Sequence, residues 1–337
     1  MPRSRPSMRE VADRAGVAMS SVSRVLSKHP DVSPAMRDRV LAAVDELGYE
    51  PDILAQSLRR KETRTIGFVV GDISNPLFAQ IALGAEGTLR ENGYSMLLTN
   101  SENDPRLDAG HVSLLRQRRV DGLLLSTASE DSPELFTALE GFEGPVVLID
   151  RELPKELGAS AVLSDHRSGM RDAIGHLLDL GHRRIGLIIG QPLRFSRERR
   201  IGLEEAYTQR GLEDTFTVLE GRLSPEHGRS ATRELLAASE PPTAIVTGGN
   251  QILLGALEEI HDRNLALGSE LSLISCDTVS LTELHQPPIA VVRRDPSEIG
   301  RRAGGLLLRH LTDPSAPPEE VTLPTEFVAR ASCGPPR

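Results

Sequence analysis

Asp72, Asn75, Asp150, Asp165, Asn250 and Asp277 share one expected setting, a loop just beyond an apolar run that reads as a strand. Ligands of open α/β sheets collect where strands end. Carboxylate and amide oxygens placed there can accept hydrogen bonds from the hydroxyls of a small polar molecule. Asp150 and Asp165 read equally well as helix caps. Phe78 follows the same loop as Asp72, and it either stacks on a sugar or base face or packs its own helix. Arg194 and Ser196 follow Gly190 in a stretch that also holds Arg197, Arg199 and Arg200. A guanidinium in a cleft presents two parallel donors to hydroxyls or a carboxylate; the alternative is a solvated charge, and Arg200 reads as structural. Catalysis has little support. No GxxxxGK[ST], GxSxG or HExxH occurs, and the nine histidines show no metal-ligand spacing, so neither an enzyme nor a cofactor is expected.

The elements that must position these groups fall into two series. Thr65–Val70 is a continuous apolar run, as in a parallel strand buried on both faces. The loop 71–76, a helix over 77–91, strand 94–99, helix 106–117, strand 120–126, helix 133–139 and strand 146–150 follow. The scheme restarts 119 residues later, where Ile185-Gly186 echoes Ile66-Gly67. Helix 200–210, strand 215–219, helix 224–238, strand 244–247, helix 251–263 and strand 272–275 come next. Alternating strands and helices imply parallel sheets with right-handed crossovers, here as two lobes with a cleft between their strand ends.

Ahead of this body lies a helical segment. Met8, Val11, Ala12 and Ala15 recur at helical spacing, Ser7 with Glu10 makes a capping-box pattern, and Gly16 stops the helix. A second helix turns Val22, Val25 and Leu26 inward and leaves Met19, Ser20, Ser23 and Arg24 outside. Ser33-Pro34 starts a third, with Met36, Val40, Ala43, Val44 and Leu47 as its stripe and Gly48 at its end. The outer face of the second helix suits the DNA major groove, where serines and Arg24 can meet base edges or phosphate. A small helical hairpin with solvated serines is the plainer reading.

RAGVAMSSVSRVLS, the ELGYEPD junction, AQSLRRKETRTIGFVV, GHRRIGLIIG, PTAIVTGGN, LSLISCD and the closing FVARAS occur in that order. Together they make the chain resemble the lactose/galactose-repressor (LacI-type) family of bacterial transcription regulators over nearly its whole length. The resemblance implies a small all-α helix-turn-helix DNA-binding domain (1–50), a hinge helix and linker (51–64), and a two-lobed periplasmic-binding-protein-like α/β domain with parallel sheets (65–337) that binds effector and dimerises. Lobe 1 is expected over about 65–164 plus 293–325 and lobe 2 over about 165–292, with about three crossings between them. The DNA-facing set is then Ser7, Met19, Ser20, Ser21, Ser23, Arg24 and Tyr49, joined by Ala55, Leu58 and Arg59 of the hinge. Leu58 matches the leucine that such hinges insert into the minor groove, beside the phosphate-facing Arg59. Ala18 replaces a frequent capping serine, and Asp52 a frequent asparagine. Phe78 matches a ligand-facing aromatic position, and Arg194 and Ser196 match positions that grip polar ligand atoms. Ser164 stands where relatives often carry aspartate. Leu77 and Leu223 stand where a nucleobase-binding member has aromatics, which argues against a purine and leaves a sugar as the family's usual effector.

Charge fits this division of labour. Residues 1–65 hold 12 Lys and Arg against 9 Asp and Glu, a balance of +3, and the remainder carries −12 of a net −9. A basic head on an acidic body concentrates phosphate attraction at one end. Two cysteines, no apolar signal core and no eighteen-residue apolar run point to a cytoplasmic protein without a membrane partner. The chain ends without the leucine heptad of tetrameric relatives, so a homodimer on operator DNA is expected. The rival reading is a solute-binding protein or sugar enzyme of similar architecture. Met8–Lys61 is the feature that speaks against it, because a solute receptor would begin near Thr65 behind a signal peptide.

Overall fold

The computed structural model describes residues 6–27, 29–49, 62–213 and 215–337. The expected hinge, with Ala55, Leu58 and Arg59, lies outside the described residues. The chain divides into two units, Met1–Thr63 and Arg64–Arg337.

The first unit holds α1 (Met8–Ala15), α2 (Met19–Leu26) and α3 (Pro34–Leu47). Ser7 and Glu10 form the capping box, and Gly16 ends α1 in the left-handed conformation with φ 65°. Ala18 precedes α2 without a side-chain cap, since alanine has no oxygen to offer. Val11, Ala12, Ala15, Val22, Val25, Val32, Val40, Ala43 and Tyr49 form the core. Arg14 of α1 pairs with Glu46 of α3 at 2.6 Å.

The second unit contains two six-stranded sheets. The first is built from β1 (Thr65–Val70), β2 (Ser95–Asn100), β3 (Gly122–Leu125), β4 (Val146–Ile149), β5 (Ser160–Ser164) and β11 (Glu320–Leu323), in the order β11-β5-β4-β3-β1-β2, all parallel. The second uses β6 (Ile185–Ile189), β7 (Thr217–Glu220), β8 (Ala244–Thr247), β9 (Ser272–Cys276), β10 (Ala290–Arg293) and β12 (Glu326–Val328), in the order β12-β10-β9-β8-β6-β7. There β12 runs antiparallel to β10 at the edge.

Helix pairs cover both faces of each sheet, which explains the unbroken apolar strands. On lobe 1 these are α4 (Pro76–Glu91) with α12 (Pro296–Thr312), and α5 (Pro105–Gln117) with α6 (Pro133–Glu140). On lobe 2 they are α7 (His166–Asp179) with α8 (Arg194–Gln209), and α9 (Pro225–Ala237) with α10 (Asn250–Asp262). A short α11 (Ser280–Leu284) follows β9.

The chain passes between the lobes after β5, after β10 and after β11. The last passage carries the tail into lobe 2, beyond the range expected for that lobe. Ser332 Oγ bonds the Leu273 carbonyl at 2.6 Å and accepts from Ala290 N at 2.8 Å. His182 bonds both Thr243 Oγ1 (2.7 Å) and the Gly334 carbonyl (2.9 Å), so it staples the tail as well as its own turn.

Candidate functional site

Six of the sequence-expected residues, Asp72, Asn75, Phe78, Asp150, Asn250 and Asp277, line one cavity where the two sets of strand ends face each other. Each reaches the cleft because a strand stops there. Asn75 caps α4 by accepting from Leu77 N at 3.0 Å, and Phe78 sits buried in the first turn. Asp150 follows β4 with φ 50° and Asp277 follows β9 with φ 74°. The left-handed region is costly for such residues, and strain of this kind gathers at ligand sites.

The floor of the cavity is an ion triad. Arg294, just after β10, holds Asp277 with two bonds, Nε–Oδ1 at 2.6 Å and a second nitrogen to Oδ2 at 3.1 Å, and it also pairs with Asp150. Asp150 belongs to lobe 1 and Asp277 to lobe 2, so one buried guanidinium ties the lobes together. Asp150 also accepts from Ser164 N at 2.6 Å and Ser164 Oγ at 3.1 Å. Burial opposes ionisation of Asp150, but His166, protonated in the acid range where this carboxyl would titrate, and Arg294 hold it far below the usual carboxylate range. Asp277 is lowered as well, burial again being outweighed by Arg294.

His166 Nε2 lies 3.4 Å from Asp150 Oδ1, an ion-pair distance without hydrogen-bond alignment. Burial lowers its pKa from the usual 6.5 to about 4, against the pull of Asp150. The unfolded chain therefore binds a proton that the folded chain refuses. Neutral His166 contributes up to about 3 kcal/mol that is present above pH 6.5 and is lost as pH falls from there toward 4. Urea titrations across that range should show the loss, and His166→Gln should flatten it; an unchanged slope in the variant would assign the loss elsewhere.

Phe195 borders the cavity between two arginines, with the Arg151 guanidinium 5.1 Å and that of Arg199 5.2 Å from its ring centre. Neither arginine, nor Phe195, nor Arg294 was expected from sequence. Arg199 stands four residues after Phe195 on the same helical face, and Arg151 directly follows Asp150; those spacings were the available signals. Leu77 and Leu223 also line the cavity.

Three expected ligand residues lie elsewhere. Helix α8 begins at Arg194, six residues before the expected start at Arg200, so Arg194 and Ser196 belong to its first turn and not to a loop. Arg194 bonds Glu152 and the Ser164 carbonyl, each at 3.1 Å, which spends it on joining the lobes outside the cavity lining. Ser196 is buried with no protein partner for its hydroxyl among the described residues. Asp165 caps α7 through Ser168 N at 3.1 Å. Arg200 pairs with Glu204 and Glu220 on the surface.

Two polar clasps close the rim. Asn250 Nδ2 donates to Asn75 Oδ1 at 2.9 Å on one side. On the other, Arg197 of lobe 2 pairs with Glu130 at 2.7 Å and Glu152 at 2.9 Å of lobe 1.

On the first unit, Met19, Ser20 and Arg24 are exposed on α2, while Ser21 and Ser23 are half-buried beside them. Ser7 spends its hydroxyl on the cap of α1. Tyr49, expected to face DNA, is 8% exposed within the core. A domain of this size has few apolar residues, and its ring is needed for packing.

Comparisons with known proteins bear on both units. The model for "Bacterial regulatory proteins, lacI family" matches residues 7–52, and that for "Periplasmic binding protein-like domain" matches residues 174–333. The HTH-type transcriptional repressor PurR of Haemophilus influenzae (strain PittEE) is 32% identical over 90% of this chain and 91% of its own length. The HTH-type transcriptional regulator DegA of Bacillus subtilis (strain 168) is 30% identical over 97% of each chain. Among solved structures, a complex of the transcriptional regulator CelR with cellobiose is 30% identical with a TM-score of 0.73, covering 97% of this chain and all of the other.

Proposed function

The chain belongs to the LacI family of bacterial regulatory proteins, and from that premise we propose a repressor that binds a near-palindromic operator as a dimer and answers to a sugar or similar small polar metabolite. It is a DNA-binding transcription regulator and not an enzyme. The observation that carries the proposal is the presence, in one chain, of an exposed α2 face and a two-lobed cleft lined by Asp72, Asn75, Asn250 and the Asp150–Arg294–Asp277 triad. A single helix-turn-helix reads only a half-site, so a two-fold dimer supplies the specificity. The similarity to a cellobiose-bound regulator supports a sugar-sized polar ligand. No helix among the described residues is long and apolar enough to cross a membrane. Its place of action is proposed to be the cytoplasm, beside the DNA.

Arg24 is exposed on α2 and has no carboxylate partner within ion-pair distance among the described residues. It is therefore assigned to base readout, with Ser20 and Met19 beside it. Arg24→Ala should cost about 1–3 kcal/mol of specific affinity if it bonds a base in the major groove, and should relax specificity at one position of each half-site. Site selection from random duplexes followed by anisotropy titration at fixed salt measures both. An unchanged selected sequence and affinity would remove Arg24 from the readout set.

A further inference from the structure

The rim of the cleft carries a ring of charged side chains that the cavity does not use. Arg197 of α8 gives one nitrogen to Glu130 at 2.7 Å and another to Glu152 at 2.9 Å. Arg194 Nε reaches Glu152 at 3.1 Å, and Glu130 closes the ring by accepting the Arg194 backbone N–H at 3.0 Å. Both carboxylates belong to lobe 1 and both guanidinium groups to lobe 2, so every one of these bonds crosses between the lobes. None of these residues is among the described residues that line the cavity.

The last of these contacts is a helix cap supplied from the other lobe. Helix α8 starts after Leu193, which has no side-chain oxygen, and its first turn holds no acidic residue. Its first N–H groups must therefore find acceptors elsewhere. Glu130 meets the Arg194 N–H with a carboxylate, which also suits the positive end of the helix dipole. Phe195, which borders the cavity, stands in that same turn. Each half of the ring is built within its own lobe. Glu130 accepts from Glu152 N at 3.0 Å in lobe 1, and Arg197 donates to the Pro192 carbonyl at 2.7 Å in lobe 2. Such preorganisation lowers the entropy cost of closing.

Burial decides which of these bonds matter. Arg197 and Glu152 are 44% and 54% exposed, and so wet a pair contributes little alone. Glu130 and Arg194 are each only 10% exposed, and Glu130 serves three donors at once. The strength of the ring therefore centres on Glu130. The Arg294 triad differs, because it is buried beside a crossing segment, where salt screens weakly and rotation of the lobes moves atoms least. The Asn75–Asn250 clasp differs too, since it is uncharged and lines the cavity.

We propose that this ring is an ionic latch on the lobes, which favours the closed cleft apart from any effector and makes the open–closed balance depend on ionic strength. A ligand that prefers the closed form then binds more tightly while the latch holds, because less of its binding energy goes into closing. The consequence for DNA rests on the regulator reading; the latch itself does not.

The test uses the full-length protein without DNA. Nitroxides on Glu140→Cys of α6 and Gln209→Cys of α8, both exposed positions, report lobe separation by pulsed electron resonance. Cys333→Ser removes the half-buried native thiol, and dilution with unlabelled chains isolates distances within one protomer. In about 50 mM NaCl one short distance should dominate, and in about 1 M NaCl the wild type should populate a longer one. Glu130→Ala should populate the longer distance at low salt, and Glu152→Gln should do so to a smaller extent. Calorimetric titration with a panel of neutral aldopentoses, aldohexoses and disaccharides gives a second readout. An uncharged sugar has no salt dependence of its own. The best binder should weaken about threefold between those salt concentrations in the wild type, and not in Glu130→Ala. Should Glu130→Ala fail to fold, Glu130→Gln and the wild-type salt series decide. A distance distribution unmoved by both salt and substitution would overturn the latch. A panel without any binder would count against the sugar reading alone, and the distances would still judge the latch.

Discussion

Replacing Arg294 with Met should destabilise the effector unit by about 3–5 kcal/mol, because it strands Asp150 and Asp277 without their shared cation. All three side chains of the triad are less than a tenth exposed, so water cannot take the place of the guanidinium. The melting temperature of the full-length protein should fall by roughly 10 °C, given about 2–4 °C per kcal/mol for domains of this size. Acid should act in the same direction. The folded-state pKa values of Asp150 and Asp277 lie below the unfolded ones. The stability they contribute is therefore complete above the ordinary carboxylate range and is lost as pH falls below it. A triple variant with Asn at 150 and 277 and Met at 294 should recover much of the loss, since it leaves no charge buried. A melting temperature within a degree or two of wild type in Arg294→Met alone would show that the triad does not hold the lobes.

Gly300→Ala is expected to cost about 3 kcal/mol, at the upper end of what overpacking does in well-packed interiors. Helices α4 and α12 cross so closely that a Cβ on Gly300 would lie 2.0 Å from the Ile81 carbonyl oxygen and 2.7 Å from Ala85 N. One turn away, a Cβ on Gly84 would lie 2.2 Å from the Ser297 carbonyl oxygen. Backbone cannot rotate aside as a side chain can, so the helices would have to separate. Because α12 is the segment that returns from lobe 2 to lobe 1, its displacement should also disturb Arg294, two residues before the helix. A lowered urea midpoint with unchanged slope is the expected readout. An unchanged midpoint would mean that the crossing is looser than the distances indicate.

Local patterns carried most of the architecture. Thr65–Val70 and Ala244–Thr247 were legible as strands because burial on both faces leaves an unbroken apolar run. Asp277 was legible because it directly follows such a run, and Asn250 because only Gly248 and Gly249 separate it from one. What was not legible depended on contacts between distant residues. Arg294 meets Asp150 across 144 positions, and nothing near either residue announces the pair. Helix α8 was placed too late because its first turn is rich in arginine and its N-cap, Leu193, offers no side-chain oxygen. The later start puts Arg194 in a pocket loop and leaves Arg199, which lies on the buried face of the helix, read only as one charge of an arginine-rich stretch. Strand β5 and helix α7 are not among the elements expected from sequence, although Met170, Ala173, Ile174, Leu177 and Leu178 sit at helical spacing. The glycines at 169 and 175 lower helix propensity along that stretch, but both lie against neighbouring segments and leave little room for a Cβ.

In a regulator of this kind, occupancy of the cleft should set the affinity of the helix-turn-helix unit for DNA. Fluorescence anisotropy of the full-length chain on its selected operator, at fixed salt and with increasing amounts of the ligand found by calorimetry, tests it most directly. A specific duplex should be bound at least about a thousandfold tighter than a scrambled one. Saturating ligand should move that affinity by roughly 5- to 150-fold, in whichever direction ligand and DNA are coupled. An operator affinity that stays constant while the cleft fills would contradict it.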